Sequence, residues 1–257
     1  MIFAANMSWE QYAAKTDGVA IIPAGSCEQH GSHLPLSTDS IIATEISRMV
    51  AEQIDGIVLP TLNYGYRSSP YSGGGPLFPG TVDLSLNTMV ELASNLLDEL
   101  LADGFRKILF LSAHFENQAP ILEAMHLAQR QHGTDNQIVL ANWWDPLKSS
   151  VMDEVFSDIT FPGWDLEHAA VTETSLIMHL APELVHSDKL PAKEAFTVPP
   201  YLRVPLQTSD IPSHGALADA VGATAEKGKI IADAAATAIA GICAYEFGVH
   251  MKTSVKL

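Results

Sequence analysis

The sequence predicts an α/β fold, a parallel sheet with helices packed on its faces. Two observations carry this prediction. Short apolar runs alternate with longer segments of helical period. The apolar runs are also continuous, without the polar alternation of a half-exposed strand, as strands covered on both faces require. The first run, residues 18–23, is such a strand. After it, Ile41, Ile42, Ile46, Met49 and Val50 recur at helical spacing behind Thr38 and Asp39, two residue types that cap helices, and this helix closes near Gly56. Strands at 57–62, 107–111 and 137–141 follow, interleaved with helices at 87–101 and 119–131 that end on Gly104 and Gly133. Helices at 169–180 and 223–244 complete the pattern. Two stretches fit neither element: 63–83, rich in Gly, Pro and Ser, and 188–216, rich in Pro. Connections of that length in a compact domain serve a site or stay flexible. With no repeat and no linker composition, residues 1–257 read as one domain.

Composition narrows the function. Of 257 residues, 47% are hydrophobic, enough for a buried core. Lys and Arg total 14 against 30 for Asp and Glu, a net charge of −16 with no basic run, so nucleic acid and anionic membrane surfaces are expected to be repelled. The uncharged stretches fall short of the roughly 20 apolar residues of a membrane helix. The first ten residues carry neither the positive region nor the apolar core of an export signal, and the expected location is the cytoplasm. Cys27 and Cys243 are too few and too far apart for a disulfide framework, which matches a reducing compartment.

In an open parallel sheet, ligands bind beyond the carboxyl ends of the strands. The first strand is followed by Glu28-Gln29-His30-Gly31-Ser32-His33, with Asp39 opening the next helix; the third is followed by His114-Phe115-Glu116-Asn117. Each cluster holds two candidate ligands two residues apart, which on extended backbone leave the same side of the chain. Glu28, His30, Asp39, His114 and Glu116 are therefore expected around one crevice. Mixed imidazole and carboxylate donors suit zinc, manganese or a related divalent ion. Three carboxylates exceed what one open zinc site gathers, so two ions bridged by Asp39 are expected. His33 is left open as ligand, buttress or surface residue.

A third cluster, Gly163-Trp164-Asp165-Leu166-Glu167-His168, precedes a helical stretch containing Glu173. Trp164 offers a flat wall and His168 can move a proton near neutral pH. Trp143 and Trp144 beyond the fourth strand could close over a small planar ligand. The run Ser72-Gly73-Gly74-Gly75 lacks the Lys-Ser/Thr of a phosphate loop; it reads either as a loop that brings backbone close to a site or as a plain surface turn.

These segments, with Pro23 to Gly31, Tyr64-Gly65-Tyr66 and Phe78-Pro79-Gly80-Thr81, resemble the creatininase (creatinine amidohydrolase) family, in order from about Trp9 to Leu180 and more weakly through Ala225-Glu226-Lys227-Gly228. The resemblance implies a three-layer α/β/α sandwich with a mostly parallel central sheet, assembled as a homohexamer. It also implies two divalent metal ions, zinc with manganese or two zincs. One would be held by Glu28, Asp39 and His114, the other by His30, Asp39 and Glu116. Ser72, Phe115, Trp164, Asp165 and Glu167 would lie near the substrate, with Trp144 as a flap. His168 would act as acid/base, helped or oriented by Glu167. The implied reaction is reversible opening of the cyclic amide of creatinine to creatine by a water activated between the metals. Ser112-Ala113 stands where the family reads Asn-Gly, and Phe115 where creatininase has Tyr; the lost amide and hydroxyl can redirect specificity toward another small lactam or a formamide.

Two rival readings follow from the same residues. Cys27 could be the nucleophile of a thiol amidase, although one residue before Glu28 it should point away from the metals. The metals could instead be structural in a non-catalytic binding protein, although structural zinc sites are usually closed and rich in thiolates.

Overall fold

Four strands form a wholly parallel sheet in the order β2-β1-β3-β4: β1 (Val19–Ala24), β2 (Gly56–Val58), β3 (Lys107–Ser112) and β4 (Gln137–Asn142). The structure is a computed structural model that describes residues 2–252 except Pro70, Gly74 and Lys193, and nothing is described of the Pro76 side chain. Among the described residues seven α-helices accompany the sheet: α1 (Trp9–Ala13), α2 (Thr38–Gln53), α3 (Leu86–Ala102), α4 (Gln118–His132), α5 (Ser149–Val155), α6 (Val171–Leu180) and α7 (Ala225–Phe247). The strand pleat sorts them into layers. Val19, Ile21, Leu109 and Leu111 point to one face and pack with Ile42 and Ile46 of α2, Leu176 of α6 and Ile231 of α7. Ala20, Ile22, Ile108 and Phe110 point to the other and meet Met89 and Leu97 of α3 and Ile121 of α4. The α/β/α sandwich expected of the sequence is the observed architecture.

The boundaries differ where side chains have other partners. The β2 ladder ends at Val58, short of the expected Leu62, and a single bridge from Leu62 to Ala24 continues it, because the chain passes Pro60, which has no N–H to give. Ser37, not Thr38 or Asp39, precedes the first turn of α2. Thr38 donates its hydroxyl to the Pro35 carbonyl at 2.7 Å, and Asp39 faces two imidazoles. α6 begins at Val171 because Ala169 has φ +54 and Ala170 is extended. α1 was not anticipated, though Ser8 and Gln11 form its reciprocal capping box; neither was α5. The stretches 63–83 and 188–216 contain no α-helix or strand among the described residues, only short 3-10 turns and one isolated bridge.

By length and composition α7 is apolar enough to cross a membrane, which the uncharged runs alone did not anticipate. In this fold Ile231, Ala235, Ile239 and Cys243 are fully buried in the layer of α2 and α6. Gly228 permits the closest approach: a Cβ there would overlap the Ser175 carbonyl oxygen of α6. Ala is the better helix former by about 1 kcal/mol, but overpacking costs about 1–3 kcal/mol. Gly228→Ala is therefore expected to lower the urea midpoint, and a raised midpoint would contradict the close α6–α7 contact.

Candidate metal centre

The sheet order sets β1 beside β3 although α2, β2 and α3 separate them in sequence, so connections diverge from their carboxyl ends and leave a crevice. Glu28 and His30 enter it from β1, Asp39 from the first turn of α2, His114 from the end of β3 and Glu173 from the first turn of α6. All five side chains are buried.

Backbone carbonyls decide which imidazole nitrogens face the crevice. His30 donates from Nδ1 to the Glu28 carbonyl at 3.1 Å, and His114 donates from Nε2 to the Tyr66 carbonyl at 2.8 Å. The remaining nitrogens meet carboxylates. His30 Nε2 lies 3.0 Å from Asp39 Oδ1 and 3.6 Å from Glu173 Oε2. His114 Nδ1 lies 3.1 Å from Glu28 Oε2 and 3.3 Å from Asp39 Oδ2. Lone pairs facing lone pairs require a cation between them, either a proton or a metal. Asp39 gives one oxygen to each imidazole, and its Oδ2 is buried without a hydrogen-bond partner. Two donor sets result, Glu28–Asp39–His114 and His30–Asp39–Glu173, each with ligand atoms within 4.8 Å of one another. Nitrogen and oxygen donors in two clusters joined by one carboxylate fit a pair of divalent ions.

The electrostatics agree with that fit. Burial alone would raise Glu28, but the His114 charge and hydrogen bond outweigh it and hold its carboxyl at about 2. Asp39 is likewise kept well below the usual carboxylate range by His30 and His114 against the effect of burial. Burial would lower both histidines, yet Asp39 and Glu173 raise His30, and Glu28 and Asp39 raise His114, well above the ordinary imidazole value. With no metal bound the imidazoles hold protons that divalent ions would displace.

One expected ligand is differently placed. Glu116 does not join His30 and Asp39; Glu173 does. The expectation assumed extended backbone after β3, whereas Phe115–Asn117 is a 3-10 turn, so His114 and Glu116 do not share a side. Glu116 Oε1 accepts from the Ser69 N–H at 2.9 Å, while Oε2 stands 3.4 Å from His114 Nε2. Glu173 was passed over because it sits inside a helix; its place close behind the Glu167-His168 pair in sequence was the available signal. Also missed were Ser68, whose hydroxyl donates to Glu28, and Asn117, which accepts from Tyr66 N at 2.9 Å and donates to the Gly25 carbonyl at 3.0 Å. These bonds lash the 63–83 stretch to both strand ends.

Above the donor sets is a cavity of about 210 Å³. Ser72, Phe115, Trp144, Trp164 and Asp165 all border it, as do Glu116, Glu167 and His168. Phe115 and Trp144 lie nearly parallel, 11° apart with centroids at 6.0 Å, and Trp143 meets both Trp144 and Trp164 edge-on. Val198 and Leu202 of the Pro-rich stretch add an apolar wall that the sequence did not single out. His168 packs its ring against His30 with centroids 4.5 Å apart and falls within reach of Glu28 and His30 as a third donor grouping. Glu167 does not orient His168: its Oε2 accepts from the N–H and hydroxyl of Thr172 at 2.9 and 2.5 Å, at the start of α6. Burial, only partly opposed by those bonds, pushes its carboxyl up to about 7. Ser112 faces inward, its hydroxyl donating to the His114 carbonyl at 3.0 Å, while Ala113 borders the cavity. His33 is fully buried beside α6, with Nε2 2.8 Å from the Thr174 hydroxyl, and belongs to none of the donor groups among the described residues. Gly73 lies where a Cβ would overlap Glu28 and crowd the His168 ring, so this loop does bring backbone close to the site; Gly74 lies outside the described residues.

Cys27 has the wrong setting for a nucleophile. Its Sγ faces the Gly80 carbonyl at 3.5 Å, and burial followed by the Asp39 charge raises its thiol, the reverse of what a thiolate requires. Cys27→Ser is expected to retain full activity and metal content. Loss of turnover with metal retained would restore the thiol reading.

The family model described as creatinine amidohydrolase matches residues 5–243. Creatinine amidohydrolase from Pseudomonas putida is 34% identical over 253 residues, covering 96% of this chain and 97% of that protein. The mycofactocin precursor peptide peptidase of Mycobacterium tuberculosis (strain CDC 1551 / Oshkosh) is 30% identical over 218 residues, covering 82% of this chain and 78% of its own length. A solved creatininase with manganese superposes with a TM-score of 0.92 at 35% identity, over 96% of this chain and 98% of the other.

Proposed function

The chain belongs to the creatininase family, and from that premise we propose that it opens the cyclic amide of creatinine to creatine, reversibly, with two divalent metal ions in the Asp39 site. It is a metal-dependent amidohydrolase. The observation that carries the finer reading is Asp39, shared by two donor sets on the floor of an aromatic cavity sized for a small molecule.

Glu28, Asp39 and His114 would hold one ion, and His30, Asp39 and Glu173 the other, as zinc or manganese. When bound, the ions supply Lewis acidity that polarises a carbonyl and acidifies water near neutral pH. The protein supplies the rest. Trp144, Phe115 and Trp164 cover a planar ring and exclude bulk water, while Ser72 and Asp165 offer polar contacts at the cavity wall. His168, beside Glu28 and His30, delivers the proton that the departing ring nitrogen needs. Glu116, held by the Ser69 N–H, keeps a carboxylate at the cavity wall. The exposed side chains of Tyr201, Leu202 and Val204 support assembly as a homo-oligomer, and a cytoplasmic location is part of the same reading.

A specific residue favours a second substrate: Phe115 borders the cavity and brings no hydroxyl to it. A site without that contact suits another small lactam or a formamide. The metal-loaded protein should be assayed for creatine formed from creatinine and against a panel of lactams, formamides and short peptides. Creatine formation supports the first reading; turnover of another small amide alone transfers the site to that substrate. Inertness across the panel would leave only metal binding.

A further inference from the structure

Gln29 stands between two donor residues, but it does not border the cavity. Its buried amide joins three loops instead. Oε1 accepts from the Gly31 N–H at 2.9 Å, which fixes the orientation of the amide. Nε2 then faces the Gly73 carbonyl at 2.6 Å, the Gly215 carbonyl at 3.0 Å and His168 Nε2 at 3.0 Å. The two carbonyls can only accept, so the nitrogen assignment is determined several times over. The amide has two hydrogens for three acceptors: Gly73, at the shortest distance, takes one, and Gly215 and His168 Nε2 share the other. A planar amide nitrogen has no lone pair to offer, so His168 Nε2 cannot donate to it.

We propose that Gln29 is a positioning residue for His168: it holds the imidazole with Nε2 as an acceptor, placing the proton of the neutral ring on Nδ1 and withholding Nε2 from the metals. The surrounding backbone is built closely around this contact. A Cβ at Gly215, φ +85, would overlap the Gln29 amide, and one at Gly73 would sit 3.0 Å from two atoms of the His168 ring. Leu217 N donates to the His168 carbonyl at 3.1 Å. Directly after His168, Ala169 adopts φ +54 with its N–H held by Glu173 at 2.6 Å, a strained backbone that persists only where its surroundings enforce it. The ring is thus fixed from both sides, and the amide decides which nitrogen carries the proton. The effect of Gln29 on turnover rests on the reading of His168 as proton donor above; the tautomer does not.

Zinc-loaded protein labelled with ¹⁵N-histidine tests it, the His168 signals being identified by their loss in His168→Asn. The wild type should give a protonated Nδ1 and an unprotonated Nε2 at His168. Gln29→Met, close in volume but without a donor, should abolish that preference. Its kcat should fall about 10- to 100-fold with KM and bound zinc little changed. In Gln29→Glu the carboxylate accepts, and the proton should move to Nε2. A wild-type spectrum with the proton on Nε2 would overturn the proposal without any variant, as would Gln29→Met with the wild-type tautomer and kcat. Failure of the wild type to turn over creatinine would remove the functional reading, and the spectrum would still decide the tautomer.

Discussion

Asp39→Asn is expected to lose at least one of two bound metals and to reduce turnover by about 10³ or more. The carboxylate gives one oxygen toward His30 and the other toward His114, so neither donor set is complete without it. Asn keeps the shape and one weak oxygen donor but removes the negative charge that holds both imidazoles against the effect of burial. Losing a cation's stabilisation of a developing oxyanion costs several kcal/mol, and about 1.4 kcal/mol is a factor of ten. Elemental analysis and turnover, measured together, check this. A companion pair separates the two glutamates: Glu173→Gln should lower metal content, and Glu116→Gln should lower turnover more than metal content. A substitution at Asp39 that keeps two metals would dissolve the shared-ligand arrangement.

His168→Ala is expected to lower kcat by about 10²–10⁴ while metal content stays the same. His168 borders the cavity next to the donor sets, and the two sets are complete without it. Its ring is held by Gln29, by packing on His30 and by the strained Ala169, which is more constraint than a surface imidazole needs. A proton must reach the departing nitrogen of any amide, and no other imidazole near the cavity is free of the donor sets among the described residues. If His168→Ala kept its kcat, the proton would have to come from elsewhere, with Glu167, raised to about 7 by burial, as the next residue to replace. If instead the variant lost metal, the third grouping of Glu28, His30 and His168 would be a ligand set.

What the sequence disclosed follows from how local each signal is. Continuous apolar runs marked β1, β3 and β4 to within a residue or so; β1 and β3 are buried along nearly their whole length, as strands covered on both faces are, while the edge strand β4 is only partly covered. The switch between β1 and β3 placed Glu28, His30 and His114 in one crevice by topology alone. The ligand pairing was harder to read. Two-residue spacing means one side of the chain only while the backbone is extended, and the turn at Phe115–Asn117 broke that condition. Glu173 arrives from α6, far along the chain, and periodicity does not reveal which residue of a helix's first turn faces another element. The helix start at Val171 was also hidden, since nothing in the residue type predicts Ala169 at positive φ. Gln29 was part of a motif, but its role depends on Gly73 and Gly215, which tertiary structure alone brings to it.

A two-metal site shared through Asp39 is tested by the metal content of protein loaded with zinc or manganese and then dialysed, with turnover measured before and after chelation. About two ions per chain, with activity abolished by the chelator and restored by metal, is the predicted result. A protein that holds no divalent ion after loading would contradict it.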